Sequence, residues 1–360
     1  MTGLKRMGKK SAKSLGLILC AIVCSLLAGA VFLLLAGFHP LEAYAGILAG
    51  AFGSKTAITQ TLTKATPLLL IGVGVAVAFK GSSFNIGAEG QFYAGTLGCV
   101  LCEMALHNAP LPSWLMITAC LLSAFLFGGI WGAIPGYFKA ARGASEVVAS
   151  VMLSSVMVLL VKYLVGIGGP IAEPRGIYPE TQEIAQGARL PYLLSGTRLH
   201  LGFLIALAAA VLIYLFLERT TWGYKIKATG RNAGAAKYGG INVGMVTVST
   251  MALSGGIAGL AGGIEVLGTA WKLYPGLSPG YGYNAIAVAL LGRLHPIGII
   301  FSALLFGMLN TGSNQMARSA GIPSTLAAIL QALVLLFVVG FSIFEQKSLF
   351  VRKKGGAQNG

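Results

Sequence analysis

The 360 residues are 56% hydrophobic and only 10% charged, against roughly 25% charged in ordinary globular chains, and the mean hydropathy is +0.79, so the chain reads as a polytopic membrane protein rather than two or three soluble domains. All ten acids are Glu and Asp is absent, which excludes Walker B, kinase-type, aspartyl-phosphate and aspartic-protease chemistry and puts any energy source on another chain. The formal charge of +16 sits at the chain ends and between apolar runs, which is the positive-inside pattern of a membrane topology and not a nucleic-acid surface.

A basic tail, 1–14, carries Lys5, Arg6, Lys9, Lys10 and Lys13. Its GLKRMGKK is no P-loop, because Lys10 stands where a Ser or Thr must hold Mg²⁺ and no strand precedes it. The apolar run that follows, 15–37, is long enough to span and reads as a first transmembrane helix rather than a cleaved signal. Further apolar stretches run at 57–79, 90–106, 114–138, 147–168, 199–217, 243–268, 297–315 and 324–344, with a shorter one at 283–292. The expected fold is therefore all-α and integral to the membrane: a bundle of about ten transmembrane helices over 15–345, closed by a second basic tail, 346–360. Ten crossings return the C-terminus to the side of the N-terminus, and 18 of the 26 Lys and Arg fall on that side, which places both termini in the cytoplasm.

The segment 80–91, KGSSFNIGAEGQ, interrupts two apolar runs with polar residues and three glycines. A helix broken or re-entrant at membrane depth exposes backbone that lines a site, and Asn85 and Glu89, four apart, would share a face. A plain cytoplasmic turn fits the same residues. Cys20, Cys24, Cys99, Cys102 and Cys120 all lie in or beside apolar segments and read as small core residues. The C-x-x-C at Cys99 and Cys102 has no second pair and no nearby His set, so no metal site is expected. Segment 169–199, with Pro170, Pro174, Pro179 and Pro191, is an outer loop that prolines keep from forming a long helix.

The cytoplasmic stretch 218–242 holds five Lys or Arg and one Glu, with Gly223, Gly230, Gly234, Gly239 and Gly240 around a short helical pattern, Ala233 to Tyr238. Two short helices joined by glycines would present a knob to a partner; a basic loop against anionic lipid is the other reading. Gly255, Gly259 and Gly263 make a small-residue face for close helix packing, and Glu265 on the same helix would allow a solute path along it. The LSGG at 253–256 lies in an apolar helix and carries no ATPase meaning. With four scattered His and neither G-x-S-x-G nor H-E-x-x-H, hydrolase and metalloenzyme readings find no support.

Four motifs in order, FNIGAEGQ (84–91), ATGRNAGAAKYGGINV (228–243), SGGIAGLAGGIEVLG (254–268) and YGYNAIAVALLG (281–292), resemble the permease subunits of bacterial ABC importers of the ribose and branched-chain amino acid type. The nearest group is similar to nucleoside (simple sugar) importer permeases that work with a Bmp-type lipoprotein receptor, and the resemblance covers about residues 15–345. It implies a non-enzymatic transport subunit of the bacterial cytoplasmic membrane, paired with a second homologous permease, ABC ATPase subunits and an external substrate-binding lipoprotein, with ATP and Mg²⁺ on the partners and no cofactor in this chain. It makes 228–243 the coupling helix, with Gly223, Gly230, Arg231, Ala235, Ala236 and Gly240 seated on the ATPase. Substrate-path candidates are Phe84, Asn85, Glu89, Gln91, Tyr281, Tyr283 and Asn284, through hydrogen bonds to ribose hydroxyls and aromatic stacking. In GASEVVASVML (143–153), Ala144 and Ser145 stand where many relatives have an Asn before the Glu, which leaves Glu146 a secondary candidate. A simple-sugar permease is the alternative substrate reading. An ion-coupled secondary transporter using Glu89 and Glu265 is the alternative mechanism.

Overall fold

The computed structural model describes residues 23–340, except 175 and eight positions between 324 and 339. The tails 1–14 and 346–360, the start of the first apolar run and much of 324–344 lie outside the described residues. The chain divides into two compact units, one of residues 1–57 and 308–360 and the other of 58–307.

In the first unit, α1 (Val23–Leu35) and α2 (Pro40–Phe52) meet at a 120° bend. The bend has local causes: Gly37 adopts φ +82°, and Pro40 starts α2 with the fixed φ that suits a first helical turn. The first apolar run ends at this turn, and α2 occupies residues to which the sequence reading assigned no element. At 13 residues α2 is too short to span alone. It packs through Gly50 and Gly46 against Gly312, Gln315 and Met316.

The second unit holds α3 (Lys55–Lys80) from residue 58 on, α4 (Ala88–Leu106), α5 (Ser113–Arg142), α6 (Glu146–Leu164), α7 (Gly202–Arg219), α8 (Thr221–Arg231), α9 (Ala233–Tyr238), α10 (Val243–Glu265), α11 (Tyr281–Leu291) and the first half of α12 (Pro296–Ala320). Among the described residues, six helices are long and apolar enough to cross a membrane, or seven if α1 and α2 form one bent span. The ten expected include 324–344, much of which lies outside the described residues. Run 90–106 became α4, whose sequence includes Glu89, Gln91 and Glu103, and run 283–292 became the half-length α11.

Helix α3 is the axis of this unit, with 83% of its most apolar window buried, whereas α5, α6 and α7 bury 22% of theirs and leave apolar outer faces uncovered by the chain. Lipid is as apolar as Leu, so these helices gain by close backbone approach rather than by apolar burial. The glycine face of α10 supplies that approach. A Cβ at Gly255 or Gly259 would strike the carbonyls of Gly128 and Ala124 on α5, one at Gly263 would meet the Ala124 methyl at 2.7 Å, and Gly95 of α4 lies directly on Gly259. The packing reading of the stripe holds across two neighbours.

Segment 165–201 is more ordered than its prolines suggest. It runs along the end of α10 by backbone hydrogen bonds: Leu190 N–H donates to the Leu267 carbonyl (2.9 Å), Ile184 N–H to Trp271 (2.8 Å) and Thr181 N–H to Leu273 (2.9 Å). Arg189 stacks over the Trp271 ring at 4.3 Å, and Glu103 of α4 accepts from Ala185 N–H at 3.0 Å. The 18 residues of α7 separate this layer from α8 and α9 by about 27 Å of helix.

Candidate translocation site

The chain between α3 and α4 reaches well into the bundle. A Cβ at Gly81 would lie 3.1 Å from the Thr250 methyl, and Asn85 Nδ2 donates to Ser254 Oγ at 2.8 Å. Ser254 is eleven residues past the start of α10, or about 16 Å along a span that continues to Ala270. Backbone at that depth cannot turn to bulk water, and side chains satisfy it. Asn85 and Gln91 exchange two hydrogen bonds (Nδ2 to Oε1, 2.7 Å; Nε2 to Oδ1, 3.0 Å), and Gly87 N–H donates to Asn85 Oδ1 at 3.1 Å. From α5 and α6, Lys139 Nζ donates to the Ser82 carbonyl (2.8 Å) and pairs with Glu146 (2.7 Å), whose Oε1 also accepts from Phe84 N–H at 3.3 Å. Glu146 thus clamps the turn.

A second break lies opposite. After α10 a π-turn, Val266–Ala270, leads into a non-helical stretch, 271–280, and only then does α11 begin. Ser278 Oγ accepts from Gly280 N–H (3.1 Å) and Tyr281 N–H (2.9 Å), while Ser278 N–H donates to Tyr93 Oη at 3.1 Å. Glu89 completes the junction: its Oε2 accepts from Gly282 N–H at 2.6 Å, placing a carboxylate on the positive end of α11. A Cβ at Gly282 would overlap the Glu89 backbone, so only glycine permits this contact.

The path candidates separate accordingly. Asn85, Gln91 and Glu89 are buried and hydrogen-bonded within the protein. Tyr281 is buried against Phe92, with ring centroids 6.0 Å apart, and its hydroxyl receives a hydrogen bond from Lys64 Nζ at 3.2 Å. Phe84 and Tyr283 are 48% and 49% exposed, and Asn284 is half-buried. The structure does not gather the seven into one pocket.

A polar cavity lies elsewhere. Between α3, the end of α10 and segments 165–201 and 271–280 is a cavity of about 420 Å³, whose polar lining includes Lys64, Arg198, Glu265, Thr269, Lys272 and Tyr274. Lys272 pairs with Glu180 at 2.8 Å, which holds its ammonium above the ordinary lysine range. Thr269 Oγ1 is 3.2 Å from His200 Nε2. Of this lining, Glu265 is the path candidate that its place on the glycine-striped helix marks out in the sequence. Lys64 carried a readable signal, as a charge inside the apolar run 57–79, where membrane burial makes an ionisable group costly.

At the other end of α7, α8 and α9 form the two short helices expected from the sequence. Thr220, Asn232 and Asn242 cap α8, α9 and α10 through their side-chain oxygens. Ile226 of α8 is buried with Val77, Leu217 and Val246, which fastens α8 to α3, α7 and α10. Gly230 rests on the Lys80 carbonyl and Gly223 on those of Phe216 and Leu217, so neither position has room for a Cβ. Gly240 takes φ +79°. Ala236 is buried, whereas Arg231 and Ala235 face outward. The turn that reaches into the bundle is therefore mechanically joined, through Lys80 and Gly230, to the knob at this end.

Comparison with known proteins accounts for this architecture. The family model described as branched-chain amino acid transport system / permease component matches residues 57–339. The guanosine ABC transporter permease protein NupP of Bacillus subtilis is 33% identical over 341 residues, 94% of this chain and 96% of the relative. The nucleoside ABC transporter permease protein NupB of Lactococcus lactis is 33% identical over 91% of both chains, and the glucose ABC transporter permease protein TsgB13 of Haloferax volcanii is 30% identical over 90% of this chain and 87% of its own. The chain is thus a multi-pass membrane protein that belongs to the branched-chain amino acid transport system permease family.

Proposed function

We propose that the chain is the membrane-spanning subunit of an ATP-binding-cassette importer that carries nucleosides across the bacterial cytoplasmic membrane. The observation that carries this reading is the 33% identity, sustained along more than nine-tenths of both chains, to guanosine and nucleoside permeases. In this reading the chain pairs with a second homologous permease, takes solute from an external binding lipoprotein on the side of segment 165–201, and keeps both termini in the cytoplasm. ATPase subunits dock on α8 and α9. Their closure moves the knob, and the Gly230–Lys80 contact passes that motion to the buried turn, so that the bundle alternates between its two open faces. The protein binds and releases; it makes and breaks no covalent bond.

A simple-sugar permease is the second reading, favoured by the 30% identity to a glucose permease. Proteoliposomes containing this chain with its partner permease, ATPases and receptor decide between them. ATP-dependent, ionophore-insensitive uptake of nucleosides and not of hexoses is the expected result. Hexose uptake alone would establish the second reading, and uptake that collapses with ionophore while ignoring ATP would overturn both.

A further inference from the structure

We propose that the cavity above α3 and α10 seats a nucleobase by its edge, with the Glu265 carboxylate accepting from an adjacent pair of N–H donors such as the lactam N–H and exocyclic amine of guanine. The inference rests on the nucleoside reading above and adds the recognition chemistry. Glu265 is 4% exposed and lines the cavity, yet among the described residues it has neither hydrogen bond nor ion pair. Lys64 attracts it across the cavity as a charge while donating to Tyr281, Lys272 pairs with Glu180, and Thr269 meets His200. A carboxylate that faces a cavity and takes no hydrogen bond from the protein keeps its acceptor oxygens for a ligand.

The shape of the demand is specific. A carboxylate offers two acceptor oxygens and no donor, so it is matched by two parallel donors on one planar edge. Tyr274 on the same wall supplies a half-buried ring for a planar partner. The exposed guanidinium of Arg198 is a donor suited to hydroxyls and carbonyl oxygens at the other end of the solute. The cavity, about 420 Å³, falls within the usual range for small-molecule sites.

The test is binding of nucleosides to the purified complex of this chain, its partner permease and the ATPases, without the external receptor, read as ligand-induced shifts in melting temperature. Guanosine presents the donor pair, inosine lacks the amine, and xanthosine replaces it with a carbonyl. Half-maximal stabilisation should need about 10- to 100-fold less guanosine than inosine or xanthosine, the discrimination typical of one bidentate edge. Glu265→Gln, whose amide offers one acceptor and one donor, should reverse the guanosine-to-xanthosine order. Equal shifts for the three wild-type ligands would overturn the inference, as would an unchanged order in Glu265→Gln. The wild-type ranking stands as a test even if the variant does not assemble. Guanosine uptake by the complete importer without any guanosine shift in the complex would overturn this inference alone, whereas hexose uptake without nucleoside uptake would overturn the nucleoside reading as well.

Discussion

Asn85→Leu separates a scaffold residue from a solute contact. The Asn85 amide takes part in four hydrogen bonds, two with Gln91 and one each with Ser254 and Gly87, and the residue is fully buried. Leu removes all four and strands the Gln91 amide and the Gly87 N–H at a depth where water is scarce. Polar side-chain bonds within membrane proteins average ~0.6 kcal/mol and reach ~1.7 kcal/mol, so four predict a loss of about 2–7 kcal/mol. Against a typical net stability of about 5–15 kcal/mol, that is enough to impair assembly. Thermal melting of the detergent-purified chain, followed by size-exclusion chromatography, reads the effect beside ATP-driven uptake. Asn85→Leu should melt well below the wild type and transport poorly in proportion. Adding Gln91→Leu should recover part of the melting temperature, because removing both halves of a reciprocal pair leaves fewer unsatisfied groups than removing one. A single variant that melts like the wild type but transports nothing would refute this reasoning and make the Asn85 amide a solute contact.

What the sequence discloses follows from how local each cause is. The break at 80–91 is legible because Ser82, Ser83, Asn85 and Glu89 cluster between two apolar runs, and α9 is legible because its glycine flanks and Asn232 cap lie within one short stretch. The stripe Gly255, Gly259 and Gly263 announces packing, though not that α4 and α5 share it. Helix α2 escapes notice because its 13 residues have the composition of a span without the length, and the surface it packs on lies more than 250 residues away. Segment 165–201 is held by backbone hydrogen bonds to 267–273, which require no side-chain pattern. The cavity is the hardest case. Lys64, Arg198, Glu265 and Tyr274 come from four separate segments, and each alone resembles a stray polar residue until the fold brings them together.

Three further outcomes are expected. Ala235→Trp places a bulky ring on the outward face of α9 and should leave melting unchanged while lowering ATPase co-purification or uncoupling hydrolysis from uptake; wild-type uptake would show that α9 does not dock. In a cysteine-free background, Tyr178→Cys and Tyr238→Cys change residues that are 67% and 97% exposed, and an impermeant maleimide applied to intact cells should label position 178 only. Labelling at 238 would invert the orientation and remove the coupling role. The last prediction concerns acid. His200 Nδ1 accepts from Gly202 N–H at 3.2 Å at the start of α7, so the neutral ring carries its proton on Nε2, toward Thr269. Protonating Nδ1 would set two donors against each other and add positive charge to a helix N-terminus. Burial pushes the His200 imidazole down to about 4, below the ~6.5 of the unfolded chain. The unfolded chain therefore takes up a proton first as pH falls. Stability from this group is complete above pH ~6.5 and declines toward pH ~4, with about 1 kcal/mol lost near pH ~5.5. His200→Asn keeps a capping oxygen without a titratable ring, so its melting temperature should fall less steeply between pH ~7 and ~5 than that of the wild type. An identical slope in the two proteins would place the acid sensitivity on another group.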